Sequence, residues 1–137
     1  MHPNWALATA VLGRVVPGAT GFSPDQIPGL AVERWRRFQI DDRDPDDVTI
    51  EFVEYCLARV DGLLIVVTSG SFAERAGPFF VACERFVEFA TAYPDVVGEP
   101  LVNGDTIVVS PLTGRVIVVQ HDGWIDTLQG VARPQLM

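Results

Sequence analysis

The densest group of side chains able to do chemistry is an acidic run between residues 41 and 47, DDRDPDD. Its five aspartates are Asp41, Asp42, Asp44, Asp46 and Asp47. Carboxylates at alternate positions reproduce the opening of a calcium loop, which then requires glycine at its sixth position and glutamate at its twelfth. Asp47 and Val53 occupy those two positions here. The sequence therefore predicts a solvated acidic turn rather than a metal site.

A second candidate for chemistry is His121, which is followed by Asp122. A histidine oriented by a carboxylate can act as a general base. Adjacent residues of an extended chain point to opposite faces, however, so Asp122 is poorly placed to orient the ring of His121. No serine lies in a nucleophile elbow, and two cysteines with one interior histidine fall short of a structural zinc quartet. We predict no catalytic residue, no cofactor and no metal.

The basic residues narrow the function classes further. All ten are arginine against eighteen acidic residues, so the formal net charge is -8. Without lysine, the chain has no side chain for Schiff-base chemistry or for a Walker-A phosphate loop. The segment Trp35–Phe38, WRRF, combines aromatics and arginines in a way that suits stacking on single-stranded nucleic acid. The aspartates directly after it would repel phosphate, so we predict no nucleic-acid binding and expect Arg34, Arg36 and Arg37 to pair with the acidic run.

The length of 137 residues and a hydrophobic content of 48% predict a single domain over residues 1–137. No stretch approaches the twenty or so apolar residues of a membrane helix, and the first residues lack the basic run of a secretory signal. Cys56 and Cys83 have no CxxC spacing, which favours free buried thiols over a disulfide. We expect a cytoplasmic protein, and the arginine-only basic set is typical of bacteria with GC-rich genomes.

Two elements are clear in the first half of the chain. A short amphipathic helix is predicted over residues 4–14, with Asn4 as its cap, and a surface loop rich in proline and glycine follows at 17–30. Residues 63–68 are predicted to form a central strand covered on both faces, because residues 63–67 are an unbroken apolar run.

The segment 31–60 allows two interpretations. Residues 31–40 fit neither a helical nor a strand period cleanly, and we interpret them as a strand. Asp44 followed by Pro45 is a typical helix start, with a capping carboxylate and a proline at the first helical position. Residues 48–52 alternate like a strand, so strand and helix both stay open there.

In the second half, a helix is predicted over residues 71–93, opened by a capping box of Ser71 and Glu74. Two strands follow at 101–110 and 115–120, joined by a short turn with glycine. The C-terminal segment carries few structural signals. The predicted fold class is α+β, a single domain with an antiparallel or mixed sheet, a C-terminal hairpin and the central helix packed on one face.

The predicted hairpin lies within residues 103–123, NGDTIVVSPLTGRVIVVQHDG, which carry three short pairs in a fixed order. One pair opens a strand, one forms a turn with glycine, and one closes the second strand. These are Gly104-Asp105, Thr113-Gly114 and His121-Asp122. In this order the segment resembles the SMI1/KNR4, or SUKH, superfamily. The resemblance implies an α+β fold and, in bacteria, an immunity protein that neutralises a cognate toxin, often a nuclease. It implies no enzymatic activity.

The acidic balance separately favours a basic protein partner, because opposite potentials steer association. We expect the five aspartates of the acidic run, Asp122, and two aromatic anchors, Trp35 and Trp124, to bind that partner. Our first hypothesis is therefore a non-enzymatic protein-binding module, most concretely a bacterial immunity protein that acts as a monomer or weak homodimer.

Two alternatives come from other classes. The first is a small-molecule pocket protein or enzyme, in which the phenylalanines of the predicted helix cover an apolar cavity against the sheet. These are Phe79, Phe80, Phe86 and Phe89. Such a pocket would be deep and partly polar, with His121 or a cysteine in its wall. The second is a homo-oligomer, in which residues 105–120 form a sheet edge that is buried between subunits.

Overall fold

The computed structural model describes residues 2–30 and 35–132, which build a six-stranded antiparallel sheet with helices on both faces. The strand order is β1-β6-β5-β4-β2-β3. In chain order the elements are α1 (Asn4–Val15), β1 (Arg36–Arg37), α2 (Pro45–Leu57), β2 (Leu63–Val67), α3 (Ser69–Phe72), β3 (Phe79–Ala82), α4 (Phe86–Val97), β4 (Thr106–Ser110), β5 (Arg115–Val119) and β6 (Trp124–Gln129). The predicted α+β class is confirmed.

Strands β2, β4 and β5 form the centre of the sheet and are apolar on both faces. In β4, Ile107 and Val109 face one core while Val108 faces the other. Because successive side chains of a strand point to opposite faces, an unbroken apolar run needs cover on both sides. The prediction of a doubly covered strand at 63–68 is confirmed by β2, of which four residues are buried.

Helix α1 covers one face of the sheet, together with the loop that follows it. Leu12 of the helix is fully buried, and Phe22 and Ile27 of the loop join the same core. The helix prediction is confirmed, but Asn4 is not its cap. Pro3 holds the cap position, and the Asn4 side-chain amide instead donates a hydrogen bond of 2.8 Å to the carbonyl of Pro78.

Helices α2 and α4 cover the opposite face. In α2 the helix interpretation is confirmed and the strand interpretation of residues 48–52 is wrong. Val48, Phe52 and Cys56, four residues apart, all enter the core, since the helical start signals outweigh a short alternation. Of the predicted strand at 31–40, Arg36–Arg37 pairs with β6, while residues 31–34 lie outside the described residues.

The predicted helix at 71–93 is wrong as one element. Residues 79–82 form the edge strand β3, paired with β2, and α4 begins only at Phe86. In β3, Phe79 packs against the α4 side and Phe80 against the α1 side. Over four apolar residues, a strand with both faces covered and a wide helical face have the same pattern.

The ends of that predicted helix differ as well. The capping box lies at Thr68 and Ser71, which opens α3, while Glu74 lies beyond α3 with a positive φ of 58°. At the other end, α4 continues through Pro94 and stops at Gly98, which is left-handed with φ of 91°.

The hairpin of β4 and β5 is confirmed, although its first strand begins at Thr106. The C-terminal segment holds a strand that the sequence analysis missed, β6, which pairs with β5 and β1. Residues 105–120 are therefore interior to the sheet, so the oligomer hypothesis that used them as an exposed edge is wrong. The outer strands are β1 and β3. No helix in the described ranges is both long and apolar enough to span a membrane.

Candidate protein-binding surface

Arg37 is the centre of a small cluster at the β1 edge of the sheet. The antiparallel pairing of β1 with β6 places Arg37 opposite Trp124. Its guanidinium lies 2.6 Å from the Asp41 carboxylate, donates to the carbonyl of Asp122, and sits 6.0 Å from the centre of the Trp124 ring. One arginine thus holds three of the predicted partner-binding residues in a fixed arrangement.

Beside this cluster lies an open cleft of about 350 Å³, which we call the tryptophan cleft. Its walls are Pro24, Asp25, Leu30, Trp35, Gln120 and Trp124. Trp35 is half-buried against the α1 side of the core, whereas Trp124 is 40% exposed. A tryptophan that is partly exposed in a cleft is the type of side chain that anchors protein interfaces.

The turn before β6 sets the position of Trp124. Gly123 has a φ of 91°, and a Cβ built there would lie 2.8 Å from the carbonyl oxygen of Phe38. The Asp122 carboxylate accepts the backbone N–H of Trp124 at 3.3 Å. Glycine is therefore required on both conformational and steric grounds, and the turn and β1 are held close together.

The five aspartates of the acidic run are all exposed but have different roles. Asp44 caps α2 by accepting the N–H of Asp46 at 2.8 Å. Asp46 and Asp47 lie in the first turn, where negative charge is favourable. Asp41 pairs with Arg37 beside Trp124. The expectation that the acidic run is a solvated turn beginning a helix is thus met by the geometry.

The arginines near the run do not all pair with it. Arg37 does, but Arg36 stacks on the ring of Tyr55 at 4.9 Å instead, and Arg34 lies outside the described residues. Arg43, within the run, binds Glu51 at 2.7 Å, and this hydrogen bond raises the pKa of Arg43. Much of the run's charge is therefore left for solvent or a partner.

His121 has a carboxylate partner that the sequence analysis missed. Its ring Nδ1 lies 3.1 Å from Asp105, which also accepts the backbone N–H of His121 at 2.8 Å. Asp105 precedes β4 and His121 follows β5, so the hairpin brings them to the same end. The side chain of His121 is 75% exposed, and within the described ranges no hydrogen bond joins it to a serine or cysteine.

Among residues 2–30 and 35–132, no group of three histidine, cysteine, aspartate or glutamate side chains is placed to hold a metal ion.

Both cysteines are free thiols, as predicted, but only Cys56 is buried, and Cys83 is partly exposed. Cys56 is fully buried, and this burial raises its pKa well above the ordinary value. Partial burial also raises the pKa of Cys83, which donates weakly to Asp61 and Glu84. Since the thiolate is the reactive form, neither residue is set up as a nucleophile.

The four phenylalanines of the pocket hypothesis do not surround one cavity, because Phe80 packs on the α1 side of the sheet and the other three pack on the α4 side. Phe86 is fully buried, and the rings of Phe79 and Phe89 meet edge to face at 5.1 Å. His121 borders a surface cleft of about 180 Å³, which none of the four phenylalanines lines. That volume is below the range of about 300–1,000 Å³ of ligand pockets.

No family model matches this chain, and no curated protein or solved structure is significantly similar to it. The resemblance to the SMI1/KNR4 superfamily therefore stays an expectation from residues 103–123 alone.

Proposed function

We propose that this chain is a non-enzymatic protein-binding module, most concretely a bacterial immunity protein that acts in the cytoplasm. In this role it neutralises a basic toxin, such as a nuclease, by covering the toxin's cationic active site. The observation that carries the proposal is the convergence at Arg37, where an acidic segment and an exposed tryptophan from distant parts of the sequence share one surface.

The surface combines the two properties that such an interface needs. Four exposed carboxylates, those of Asp25, Asp41, Asp42 and Asp122, would steer a cationic partner. Asp25 lies in the wall of the tryptophan cleft, Asp41 and Asp122 contact Arg37 beside Trp124, and Asp42 follows Asp41 in the chain. Trp124 supplies an exposed apolar anchor. Because Arg37 already holds Trp124 and Asp41 in position, binding loses little side-chain entropy there.

The toxin-neutralising role rests on the SMI1/KNR4 resemblance, and the acidic surface supports it independently. A protein that covers the cationic, phosphate-binding site of a nuclease is complementary to it when it presents negative charge, and it needs no catalytic residue of its own. The raised pKa values of Cys56 and Cys83 and the exposed position of His121 are compatible with that absence of chemistry.

The test begins with the protein encoded by the neighbouring gene, purified with this chain after co-expression. We expect a complex whose affinity falls as salt rises, because exposed charges are screened. Trp124→Ala should weaken it by about thirtyfold, the loss of a typical anchor residue. The matched control is Phe72→Ala, since Phe72 on α3 is 38% exposed against 40% for Trp124.

Charge reversal provides the second arm. Asp41→Lys with Asp42→Lys should weaken the complex at low salt and have less effect at high salt. Glu84→Lys with Glu88→Lys makes the same change of charge near the start of α4, away from the tryptophan cleft, and should have little effect. Equal losses from both pairs would mean that only net charge matters and that the tryptophan cleft is not the binding surface.

A further inference from the structure

A second surface lies between α2 and α4, on the face of the sheet opposite α1. The two helices leave an open cleft of about 480 Å³, which we call the helix cleft. It shares no wall residue with the tryptophan cleft. Its apolar strip includes Val53 and Pro94 together with Ile50 and Val87, each of the latter 56% exposed. Each helix thus contributes one large, exposed apolar side chain to the groove, Ile50 from α2 and Val87 from α4.

The charge around the helix cleft has one sign. Asp46 and Glu54 on α2 and Asp95 on α4 lie in its wall, and all three are exposed. No arginine belongs to that wall among the described residues. An apolar strip whose charged wall residues are all carboxylates complements a segment with an apolar face and basic flanks.

Two polar groups in the wall of the helix cleft, the Thr49 hydroxyl and the Ala90 carbonyl, also favour ligand binding. The side chain of Thr49 is 5% exposed, and its hydroxyl oxygen is buried without a hydrogen-bond partner in the described part of the chain. Pro94, inside α4, has no N–H to donate to the carbonyl of Ala90 one turn earlier. A buried polar group without a partner costs free energy, so a ligand that supplied one would bind with that cost recovered.

We propose that the helix cleft docks an amphipathic, basic helix of a partner protein. Its wall extends from Asp46 to Glu54 on α2 and from Val87 to Asp95 on α4, a length of about 12 Å along each helix at 1.5 Å per residue. Two turns of helix fit that length. Apolar residues at spacings of three and four would contact the strip, and lysines or arginines would reach the three carboxylates. This site is separate from the tryptophan cleft and does not depend on the proposed toxin-neutralising role.

The probe is a fluorescein-labelled peptide of about fourteen leucines and lysines, with the leucines on one helical face. A peptide of the same composition, shuffled so that no apolar face forms, is its matched control. We expect the amphipathic peptide to bind at least about tenfold more tightly by fluorescence anisotropy. Its ¹⁵N chemical-shift changes should lie on α2 and α4. Equal binding of both peptides, no binding, or shifts elsewhere would overturn the proposal.

Matched variants separate the apolar strip from surface charge. Ile50→Ser and Val87→Ser should each weaken peptide binding about tenfold, whereas Leu7→Ser on α1 should not, although Leu7 is 57% exposed. Glu54→Lys should weaken binding and Glu84→Lys should not, although both change the net charge equally. Reversal of either comparison would overturn the site.

Trp124→Ala distinguishes this proposal from the previous one. It should leave peptide binding unchanged even where it weakens binding of the neighbouring gene's product. Loss of peptide binding in this variant would place the peptide at the tryptophan cleft and overturn a separate helix cleft site.

Discussion

Asp44 stabilises the start of α2 in a way that the other aspartates of the acidic run do not. Its carboxylate accepts the N–H of Asp46 at 2.8 Å, and its charge faces the positive end of the helix dipole. Asp44→Ala removes both contributions, about 1 kcal/mol for the cap and about 0.5 kcal/mol for the charge. We expect the free energy of unfolding to fall by about 1.5 kcal/mol, which for this chain length lowers the Tm by about 5 °C.

Asp44→Asn is the matched control, because asparagine caps as well as aspartate and only the charge is lost. It should lower the free energy of unfolding by about 0.5 kcal/mol. Urea denaturation followed by far-ultraviolet circular dichroism measures the free energy of unfolding of both variants, and the dependence of that free energy on urea concentration (the m value) should be unchanged. Equal losses from Asp44→Ala and Asp44→Asn would refute the reasoning, since the stabilisation would then come from charge alone. Asp47→Ala, in the same helical turn, should resemble Asp44→Asn.

Three further predictions concern pH and backbone conformation. Burial raises the pKa of Cys56, so the stability contributed by its neutral thiol is fully present below the unfolded thiol's pKa of about 8.5 and is lost as the pH rises from there towards the raised pKa of the folded state. Cys56→Ala should reduce this alkaline loss of stability in urea titrations at pH 7 to 10, and an unchanged loss would contradict the assignment. Gly123 and Gly98 share a φ of 91°, but of the two only Gly123 lies where a Cβ would meet backbone, 2.8 Å from the Phe38 carbonyl oxygen. Gly123→Ala should therefore lower the free energy of unfolding by at least about 1 kcal/mol more than Gly98→Ala. Equal losses would show that the turn relaxes. A Cβ at Gly13, within α1, has nothing within 4 Å, so Gly13→Ala should raise the free energy of unfolding by about 0.5–1 kcal/mol, whereas a loss would indicate an unseen contact.

The parts of the fold that sequence reasoning predicted are those with local causes. The start of α2 depends on adjacent residues, Asp44 and Pro45, and β2 is marked by an unbroken apolar run. The error over residues 71–93 has a physical reason, because Phe79 and Phe80 occupy opposite faces of an edge strand while fitting a helical pattern equally well. Which faces are covered depends on the rest of the chain and is absent from the local pattern.

The candidate site was predicted in its residues but not in its geometry. Trp35, Trp124 and the acidic run were each expected to bind a partner, but their meeting depends on the pairing of β1 with β6. Strand β6 is the element that sequence reasoning missed, because its run WIDTLQ mixes polar and apolar residues without a regular alternation. Without β6, the spacing of the sequence gives no reason to place residues 35 and 124 side by side.

The structure also changes what the acidic run can do for binding. Asp44 is committed to α2, Asp41 is held by Arg37 beside Trp124, and Asp46 lies in the wall of the helix cleft. The run therefore connects two surfaces instead of forming one. Reversing all of its charges at once would weaken α2 and alter both clefts together, so a loss of binding could not be assigned to either. Single substitutions of Asp41 and Asp46 can be assigned, because Asp41 pairs with Arg37 beside Trp124, whereas Asp46 lies in the wall of the helix cleft.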